Sequence, residues 1–351
     1  MPVRIGAINW DCSMPEDTYF GRYIRATLGP REFRNRTPYY ARIIDEDHID
    51  IRRRSQEEYD EELRWAALAG VDYFAYCWYP DEPYRHGEPF DGVVPEMRQE
   101  ISSHVPELTY ARKMYASSTL SGKIGEAAII VTIHPYSRGD FVRLARETLK
   151  ASYEKIDGRP LVYLFAYQPL PDRAAMIRLM REAFAQEGAG MPYIVAMAPQ
   201  APADADLSLV DAFSAYAVVG SGSAGHDLLT DEALGQAEYW RARGRQVIPA
   251  FPTGWNPEPR VDRPVPWTSY PARLYPEPAS PEDLLRAAHR TAQWCAAHEE
   301  AWRPRHILSF AWNEFEEGGW ICPTLRPDGS LDRSHLDAFA EAARLLRAEL
   351  G

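Results

Sequence analysis

The sequence alternates short apolar runs with amphipathic stretches along its whole length. Eight runs have the length of buried strands and are rich in β-branched and aromatic residues. In chain order they are Val3–Asn9, Val71–Tyr79, Ala127–His134, Arg159–Ala166, Pro192–Met197, Asp211–Ala217, Gln246–Phe251 and Arg305–Ala311. Strands that alternate with helices are typical of βα units and a parallel sheet. Eight such units predict an α/β fold with a single (β/α)8 TIM barrel, and an open doubly wound sheet is the alternative.

Local signals mark the ends of the intervening helices. Ser55 with Glu58 three residues later forms a capping box, and Gly70 marks the end of the same helix. Ser280 followed by Pro281 and two acidic residues predicts another helix start. The helix that starts at Ser280 is predicted to end at about His298. The remaining predicted helices are Gly139–Lys155, Asp172–Gln186, a segment capped by Thr230, and Ser334–Glu349.

Two connections are much longer than the others. Trp10–Arg54 follows the first strand, and Phe251–Ser280 follows the seventh, with nine prolines between Pro252 and Pro281. In a parallel barrel, loops after strands lie at the face where active sites form. Since long loops of compact domains tend to be functional, we expect both to border a site. No repeat or linker divides the chain, so residues 1–351 are predicted to form one domain.

Charge and motif content argue against several classes of protein. The net charge of −12 opposes binding to nucleic acid or anionic lipid, and no apolar run reaches the ~20 residues that span a bilayer. The four cysteines form no CxxC pair, and the nine histidines form no HxH or HExxH motif. No GxGxxG or GxxxxGK[ST] motif follows a strand. We therefore expect no metal or cofactor, and a cytoplasmic location, since the N-terminus lacks a signal-peptide pattern.

A dense group of polar and aromatic side chains follows the last predicted strand, where residues 312–320 read WNEFEEGGW. Hydrolysis of a glycosidic bond commonly needs two carboxyl groups, one of which protonates the leaving oxygen. Glu314 and Glu317 are three residues apart, so they lie on one side only if the backbone turns directly after the strand. Gly318 favours such a turn, and Glu316 would then point elsewhere. The pattern predicts a glycosidase.

Three motifs together resemble glycoside hydrolase family 99 and the wider family 71/99-like group. Residues 312–318 are similar to the group's Asn-Glu-aromatic-x-Glu-Gly motif. Residues 254–260, GWNPEPR, are similar to its Gly-Trp-Asp-x-x-Pro-Arg segment after the seventh strand, with Asn256 in place of the aspartate. Residues 70–79, GVDYFAYCWY, follow its Gly-(Val/Ile)-Asp-x-Phe-x-x-x-Trp-Tyr pattern. The motifs occur in the same order and span most of the chain.

The resemblance implies a (β/α)8 barrel that hydrolyses α-mannosides with retention and without a protein nucleophile. One carboxylate deprotonates the 2-hydroxyl of the substrate, which attacks the anomeric carbon to give a 1,2-anhydro sugar. Carried onto this chain, the resemblance implies that Glu314 is this base and that Glu317 is the acid/base at the leaving oxygen. We then expect burial or the neighbouring Glu314 to raise the pKa of Glu317.

Further residues at or near predicted strand ends are candidate contacts for an oligosaccharide or glycoside substrate. Binding sites combine aromatic surfaces with a few polar groups that fix orientation. The candidates are Trp10, Trp78, Tyr79, His134, Tyr216, Trp255, Arg260, Trp312 and Asn313. Packing in the core is the alternative role for each aromatic residue, because tryptophan is largely buried on average. A structural salt bridge is the alternative for Arg260.

Two other functions fit the same residues. A non-catalytic carbohydrate-binding barrel in polysaccharide assembly would keep the aromatic residues without needing both carboxylates. A glycosyl transferase would use the same acid pair on an activated donor. The sequence shows no site for a nucleotide diphosphate, which makes the transferase the weaker alternative.

Overall fold

The computed structural model describes residues 2–10, 19–79, 110–132, 136–165, 173–201, 206–219 and 225–351. Its central feature is one curled sheet in which all neighbouring strands are parallel. The strands are β1 (Arg4–Asn9), β2 (Tyr73–Trp78), β3 (Gly125–Val131), β4 (Arg159–Phe165), β5 (Tyr193–Met197), β6 (Ala212–Ser214), β7 (Gln246–Val247), β8 (Ala250–Pro252) and β9 (His306–Phe310). A short strand, Lys155–Ile156, pairs antiparallel with β4.

The strand order is β7-β6-β5-β4-β3-β2-β1-β9-β8. The two ends of this order are neighbours in the chain, since only Ile248 and Pro249 separate β7 from β8. The β7 strand pairs with β6, whereas β8 pairs with β9. Residues 246–252 therefore supply both edges of the curled sheet.

The predicted strands agree with the observed ones apart from shifts of a few residues at their ends. The third was predicted to reach His134, which lies outside the described residues. The seventh is divided in two around Pro249, which has no N–H to donate to a neighbouring strand. Its carbonyl still accepts a hydrogen bond from Leu308 N at 3.0 Å.

Helices surround the sheet, and their starts follow the predicted signals in two of three cases. They are α1 (Tyr19–Leu28), α2 (Gln56–Leu68), α3 (Tyr110–Ser117), α4 (Arg138–Glu147), α5 (Arg173–Gln186), α6 (His226–Arg241), α7 (Glu258–Asp262), α8 (Pro281–Ala297) and α9 (Ser334–Leu350). Ser55 and Ser280 both complete capping boxes. The helix predicted to be capped by Thr230 begins instead at His226, with Gly225 as its N-cap. Thr230 is buried within its second turn, so that prediction was wrong.

The two long connections contain short elements of their own. The first holds α1, a 3₁₀ helix (Arg31–Arg36) and an antiparallel pair of strands, Ala41–Ile43 with Ile49–Ile51, while residues 11–18 lie outside the described part. The second holds α7. Both α1 and α7 pack against the 3₁₀ turn Phe315–Glu317, which follows β9. The long connections therefore meet at the carboxyl end of the sheet.

One continuous hydrophobic core joins the strands of the sheet to the helices around it. Within the described ranges, no helix combines the length and apolar character needed to cross a membrane. The remaining short strands form antiparallel pairs near the carboxyl end of the chain, Asn313–Glu314 with Gly319–Trp320 and Thr324–Leu325 with Leu331–Asp332. The first of these pairs brackets the 3₁₀ turn Phe315–Glu317, which together with Glu314 we call the acidic turn.

Candidate active site

The chain turns sharply a few residues after β9 ends. Residues Phe315–Glu317 form one turn of 3₁₀ helix, and Gly318 follows in the left-handed conformation with φ 75°. A 3₁₀ helix has three residues per turn, so side chains at positions i and i+3 lie above one another. Glu314 and Glu317 therefore project from the same side. The turn predicted from the sequence is confirmed.

The backbone after β8 holds this turn from behind. Asn256 N donates a hydrogen bond to Glu317 O at 2.7 Å. A Cβ added to Gly254, whose φ is 152°, would lie only 2.0 Å from Gly318 O. A Cβ added to Gly318 would lie 2.6 Å from Asn256 N. Glycine is required at both positions because no side chain fits between the two segments.

Gly254→Ala is expected to destabilise the protein by at least about 2 kcal/mol, because the new methyl group forces the acidic turn to move. Urea unfolding measures the change. Gly235→Ala in α6 is the control, since a Cβ there meets nothing within 4 Å. That variant is expected to be more stable than the wild type by up to about 1 kcal/mol. A Gly254→Ala protein as stable as the wild type would contradict the packing described.

Asn256 has a structural role at the position where the related motif has aspartate. Its Nδ2 donates to Pro276 O at 2.9 Å and to Glu258 Oε2 at 3.2 Å. A carboxylate could make neither bond, because it has no hydrogen to donate. The buried Arg36 donates to Asn256 O at 2.6 Å. Asparagine therefore fixes the loop that supports the acidic turn.

Glu314 is a buried carboxyl with one neutral donor. Its Oε1 accepts a hydrogen bond from the Tyr216 hydroxyl at 2.6 Å. Burial, together with the nearby charge of Glu317, raises the pKa of Glu314 to about 8, although Arg260 and the Tyr216 hydrogen bond act in the opposite direction. The environment of Glu314 therefore favours its protonated form.

Glu317 has a different environment. Its Oε1 accepts hydrogen bonds from the Arg260 guanidinium and from the Tyr270 hydroxyl, the latter at 2.5 Å. The same guanidinium donates to Glu316 Oε2 at 3.0 Å. Thr27 of α1 donates to Glu316 Oε1 at 2.5 Å. Arg260 and both carboxylates are buried, so the two long connections and the acidic turn meet in one ion-pair network.

One expectation about these carboxyls needs correction. Glu316 was expected to point away from the pair, but it shares Arg260 with Glu317. The reason is that Arg260, which lies on α7, contacts both carboxylates. The raised pKa expected at Glu317 stays a prediction, and the structure shows a raised pKa at the neighbouring Glu314.

Aromatic side chains surround the carboxylate pair. Tyr216 packs against Phe165 and Phe310, with ring centroids 4.3 and 5.6 Å apart. Trp255 packs at 5.7 Å against both Phe310 and Tyr270. Tyr216 and Trp255 were predicted from the sequence, and both lie beside the acidic turn.

Trp10 and Tyr79 form a second part of this surface. Trp10 Nε1 donates to the Tyr79 hydroxyl at 3.3 Å. The Arg260 guanidinium carbon lies 5.9 Å from the centre of a Trp10 ring, within the range of a cation–π contact. Both residues follow neighbouring parallel strands, β1 and β2, so their proximity follows from the topology.

Trp78 does not face the carboxylates. It is buried under the Arg143 and Arg112 guanidinium groups, whose central carbons lie 4.5 and 5.5 Å from its ring. Successive residues of a strand point to opposite faces, and its neighbour Cys77 contacts Tyr216 on the site side. The structure therefore gives Trp78 a packing role under the helices. His134, another predicted contact, lies outside the described residues.

Trp312 and Asn313 are also occupied by internal contacts. The Trp312 indole donates to Glu62 of α2 at 2.8 Å and packs 5.1 Å from Phe74. The Asn313 side chain accepts from Trp10 N at 2.9 Å and donates back to Trp10 O. These contacts fix the start of the acidic turn, and the sugar contacts of the two residues stay a prediction.

Two site residues were not among the predictions. The Cys77 thiol lies 3.8 Å from the Tyr216 hydroxyl, and burial followed by the charge of Glu314 raises its pKa to about 12. Strand alternation from Tyr79 could have identified Cys77. Tyr270, which donates to Glu317, lies in an irregular loop that gives no such signal.

No group of three or more histidine, cysteine, aspartate or glutamate side chains within the described ranges is arranged to hold a metal ion. The described carboxylates of the acidic turn are bound to Arg260, Tyr270, Thr27 and Tyr216 instead. Two buried carboxyls on one side of a turn can exchange protons with a bound substrate as a general acid and a general base.

No protein-family model and no curated protein matches the chain. Solved structures do match. The match with a glycoside hydrolase-like protein covers 98% of this chain and 94% of that protein's chain. The sequence identity is 16% and the TM-score is 0.62. A second match is the family 99 endo-α-mannosidase from Bacteroides thetaiotaomicron in complex with bis-tris propane. It covers 99% of this chain and 97% of the enzyme's chain, with 12% identity and a TM-score of 0.54. The match with another structure of that enzyme covers 84% of this chain and 80% of the enzyme's chain, with 13% identity and a TM-score of 0.51.

At these identities the similarity concerns the fold. Two of these matches extend over nearly the whole chain, so the likeness to family 99 is not limited to the three short motifs. The fold of this chain is similar to that of a family 99 endo-α-mannosidase and of a glycoside hydrolase-like protein.

Proposed function

We propose that the protein is a retaining glycoside hydrolase that acts on α-mannoside-like linkages, with Glu314 and Glu317 as its catalytic pair. One observation supports this most directly. Two buried carboxyls lie on the same side of one turn, and Arg260 contacts Glu317 while Glu314 has a pKa raised to about 8. Environments that separate two carboxyls in this way are typical of acid–base pairs in glycosidases.

The proposal includes a complete single-domain (β/α)8 barrel. Support comes from residues 246–252, which pair with β6 through Gln246–Val247 and with β9 through Ala250–Pro252. Active sites of such barrels form at the carboxyl ends of the strands. The acidic turn, Tyr216 and Trp255 all follow strands at that end.

The preference for an α-mannoside rests on the three motifs and on the fold shared with an endo-α-mannosidase. We propose that Trp10, Tyr79, Tyr216 and Trp255 form the surface on which the sugar lies. Arg260 is a positioning residue in this proposal, because its guanidinium contacts Glu316 and Glu317.

Hydrolysis would proceed in two steps, as the resemblance implies. The substrate's 2-hydroxyl attacks the anomeric carbon as one carboxyl removes its proton and the other protonates the leaving oxygen. Water then opens the 1,2-anhydro sugar. Two inversions at the same carbon give net retention. An attacking oxygen that is already attached to the sugar ring, next to the anomeric carbon, is held close to its target, which lowers the entropic cost.

Incubation of the protein with α-linked mannobioses tests the proposal, with released mannose followed by NMR. The expected first product is the α-anomer, before mutarotation. Calorimetric titration with the same sugars tests binding in parallel. Binding without turnover would contradict the hydrolase and support the carbohydrate-binding alternative, and a β-anomeric first product would contradict retention.

A further inference from the structure

We propose that Glu62 of α2 is a positioning residue of the candidate active site, which holds the acidic turn in place through the indole of Trp312. The inference rests on the proposed function and adds to the site a residue from outside the two long connections. Glu62 was not among the residues predicted from the sequence, and it lies on the helix that leads into β2.

Both carboxylate oxygens of Glu62 accept hydrogen bonds, and their donors come from different parts of the molecule. Oε1 accepts from Trp312 Nε1 at 2.8 Å. Oε2 accepts from the Arg54 guanidinium at 2.5 Å and from the Tyr39 hydroxyl at 2.9 Å. The side chains of Glu62 and Arg54 are 0% and 1% exposed. The carboxylate therefore joins a buried ion pair to the start of the acidic turn.

The ion pair of Glu62 with Arg54 is held between aromatic rings. The Arg54 guanidinium carbon lies 5.0 Å from the ring centres of both Tyr40 and Tyr59, within the range of cation–π contacts. A buried ion pair adds little net stability, because the desolvation of both charges offsets their attraction. What this pair supplies is a fixed acceptor for the indole N–H, which an apolar side chain could not provide.

Trp312 connects this acceptor to both arms of the acidic turn. Its backbone N donates to Ile8 O of β1 at 2.7 Å, and its backbone O accepts from Ile321 N and Cys322 N at 3.0 and 2.8 Å. Glu314 follows two residues later. Since the outgoing and returning arms meet at Trp312, a shift of its indole would move the backbone that carries Glu314.

The proposed chemistry depends on the exact position of this carboxyl. A group that transfers a proton must come within about 2.6–3.2 Å of its partner, and a displacement of about 1 Å can lower the rate by about 10²-fold. The Tyr216 hydroxyl contacts the end of the Glu314 side chain at 2.6 Å. The bond between Glu62 and Trp312 fixes the stretch of chain from which that side chain projects.

Trp312→Phe tests the inference, with Trp302→Phe as its matched control. Each change removes a fully buried indole N–H that donates at 2.8 Å, to Glu62 in the first case and to His306 O, at the amino end of β9, in the second. Trp312→Phe is expected to reduce kcat for an α-linked mannobiose by about 10- to 100-fold, with KM within about threefold. Trp302→Phe is expected to change neither by more than about threefold. Urea unfolding should show similar losses of stability in the two variants, since each loses one buried hydrogen bond.

Two kinetic results would overturn the inference. Equal kcat values in Trp312→Phe and Trp302→Phe would show that catalysis does not depend on the contact with Glu62. A higher KM with unchanged kcat in Trp312→Phe would show that the indole binds the sugar instead.

A second variant removes the carboxylate itself. Glu62→Gln alone would leave the buried charge of Arg54 without this carboxylate, which is strongly destabilising, so Arg54→Met/Glu62→Gln removes both charges. The double variant is expected to fold, because neutral residues often replace a buried ion pair. Its kcat should fall by about tenfold or more, since the amide oxygen is no longer held by a guanidinium. Unchanged kcat in this variant would also overturn the inference.

Hydrogen exchange followed by mass spectrometry gives a test that needs no activity. Peptides that cover residues 313–322 are expected to exchange at least about tenfold faster in Trp312→Phe than in the wild type, and at the wild-type rate in Trp302→Phe. The absence of faster exchange would overturn the inference. A wild-type protein that cleaves no mannoside would contradict the proposed function, while the exchange rates would still decide whether Glu62 and Trp312 hold the turn.

Discussion

Glu317→Gln is expected to reduce kcat/KM for an α-linked mannobiose by about 10²- to 10⁴-fold, because an amide neither accepts the proton nor carries the charge that proton transfer requires. Its fold should be retained. Arg260 still pairs with Glu316, and the glutamine oxygen still accepts from the Tyr270 hydroxyl, so no buried charge is left alone. Kinetics, calorimetric binding of the same sugar and circular dichroism measure the three properties.

Glu182→Gln is the matched control for this substitution. Glu182 lies on α5, its side chain is 62% exposed, and its ion pair with Arg138 is 3.6 Å long. The same chemical change there is expected to leave kcat/KM within a factor of two. Undiminished turnover in Glu317→Gln would remove Glu317 from the proposed catalytic pair. Loss of sugar binding together with turnover would indicate a structural role instead.

Arg260→Met is expected to destabilise the protein by about 3–5 kcal/mol, the range observed when one partner of a buried ion pair is removed. The substitution leaves the buried carboxylates of Glu316 and Glu317 without their cation. Chemical unfolding measures the loss.

Arg64→Met is the control, because Arg64 forms an exposed pair with Glu61 in which the side chains are 51% and 45% accessible. Such pairs contribute at most about 1 kcal/mol. Equal losses in the two variants would show that the Arg260 network is not the buried cluster described.

Much of the fold could be predicted from periodicity and local capping signals. The alternation of apolar and amphipathic runs is a local signal, because the burial of one face of a strand or helix sets the spacing of its apolar residues. The Ser55 and Ser280 capping boxes are local for the same reason, since a side chain bonds to backbone three residues away. Thr230 showed the limit of such signals: a residue suited to a cap lies inside α6, and Gly225 starts the helix instead.

The candidate site was predicted in part. The acidic turn was predictable because Gly318 follows a pair of acids just after a strand, and the chain reverses there. The orientation of tryptophans was not, because an indole near a strand end can face either the site or the helices. Trp255 faces the turn, whereas Trp78 lies under Arg143.

The sequence by itself determined which elements form, where the chain reverses after β9, and which two glutamates share one side of that turn. These depend on contacts within a few residues. Only the tertiary structure decided how the two glutamates differ. Thr27, Arg260 and Tyr270 reach the turn from two distant connections. The charge state of a buried carboxyl depends on the donors around it, and those donors are set by packing between segments far apart in the chain.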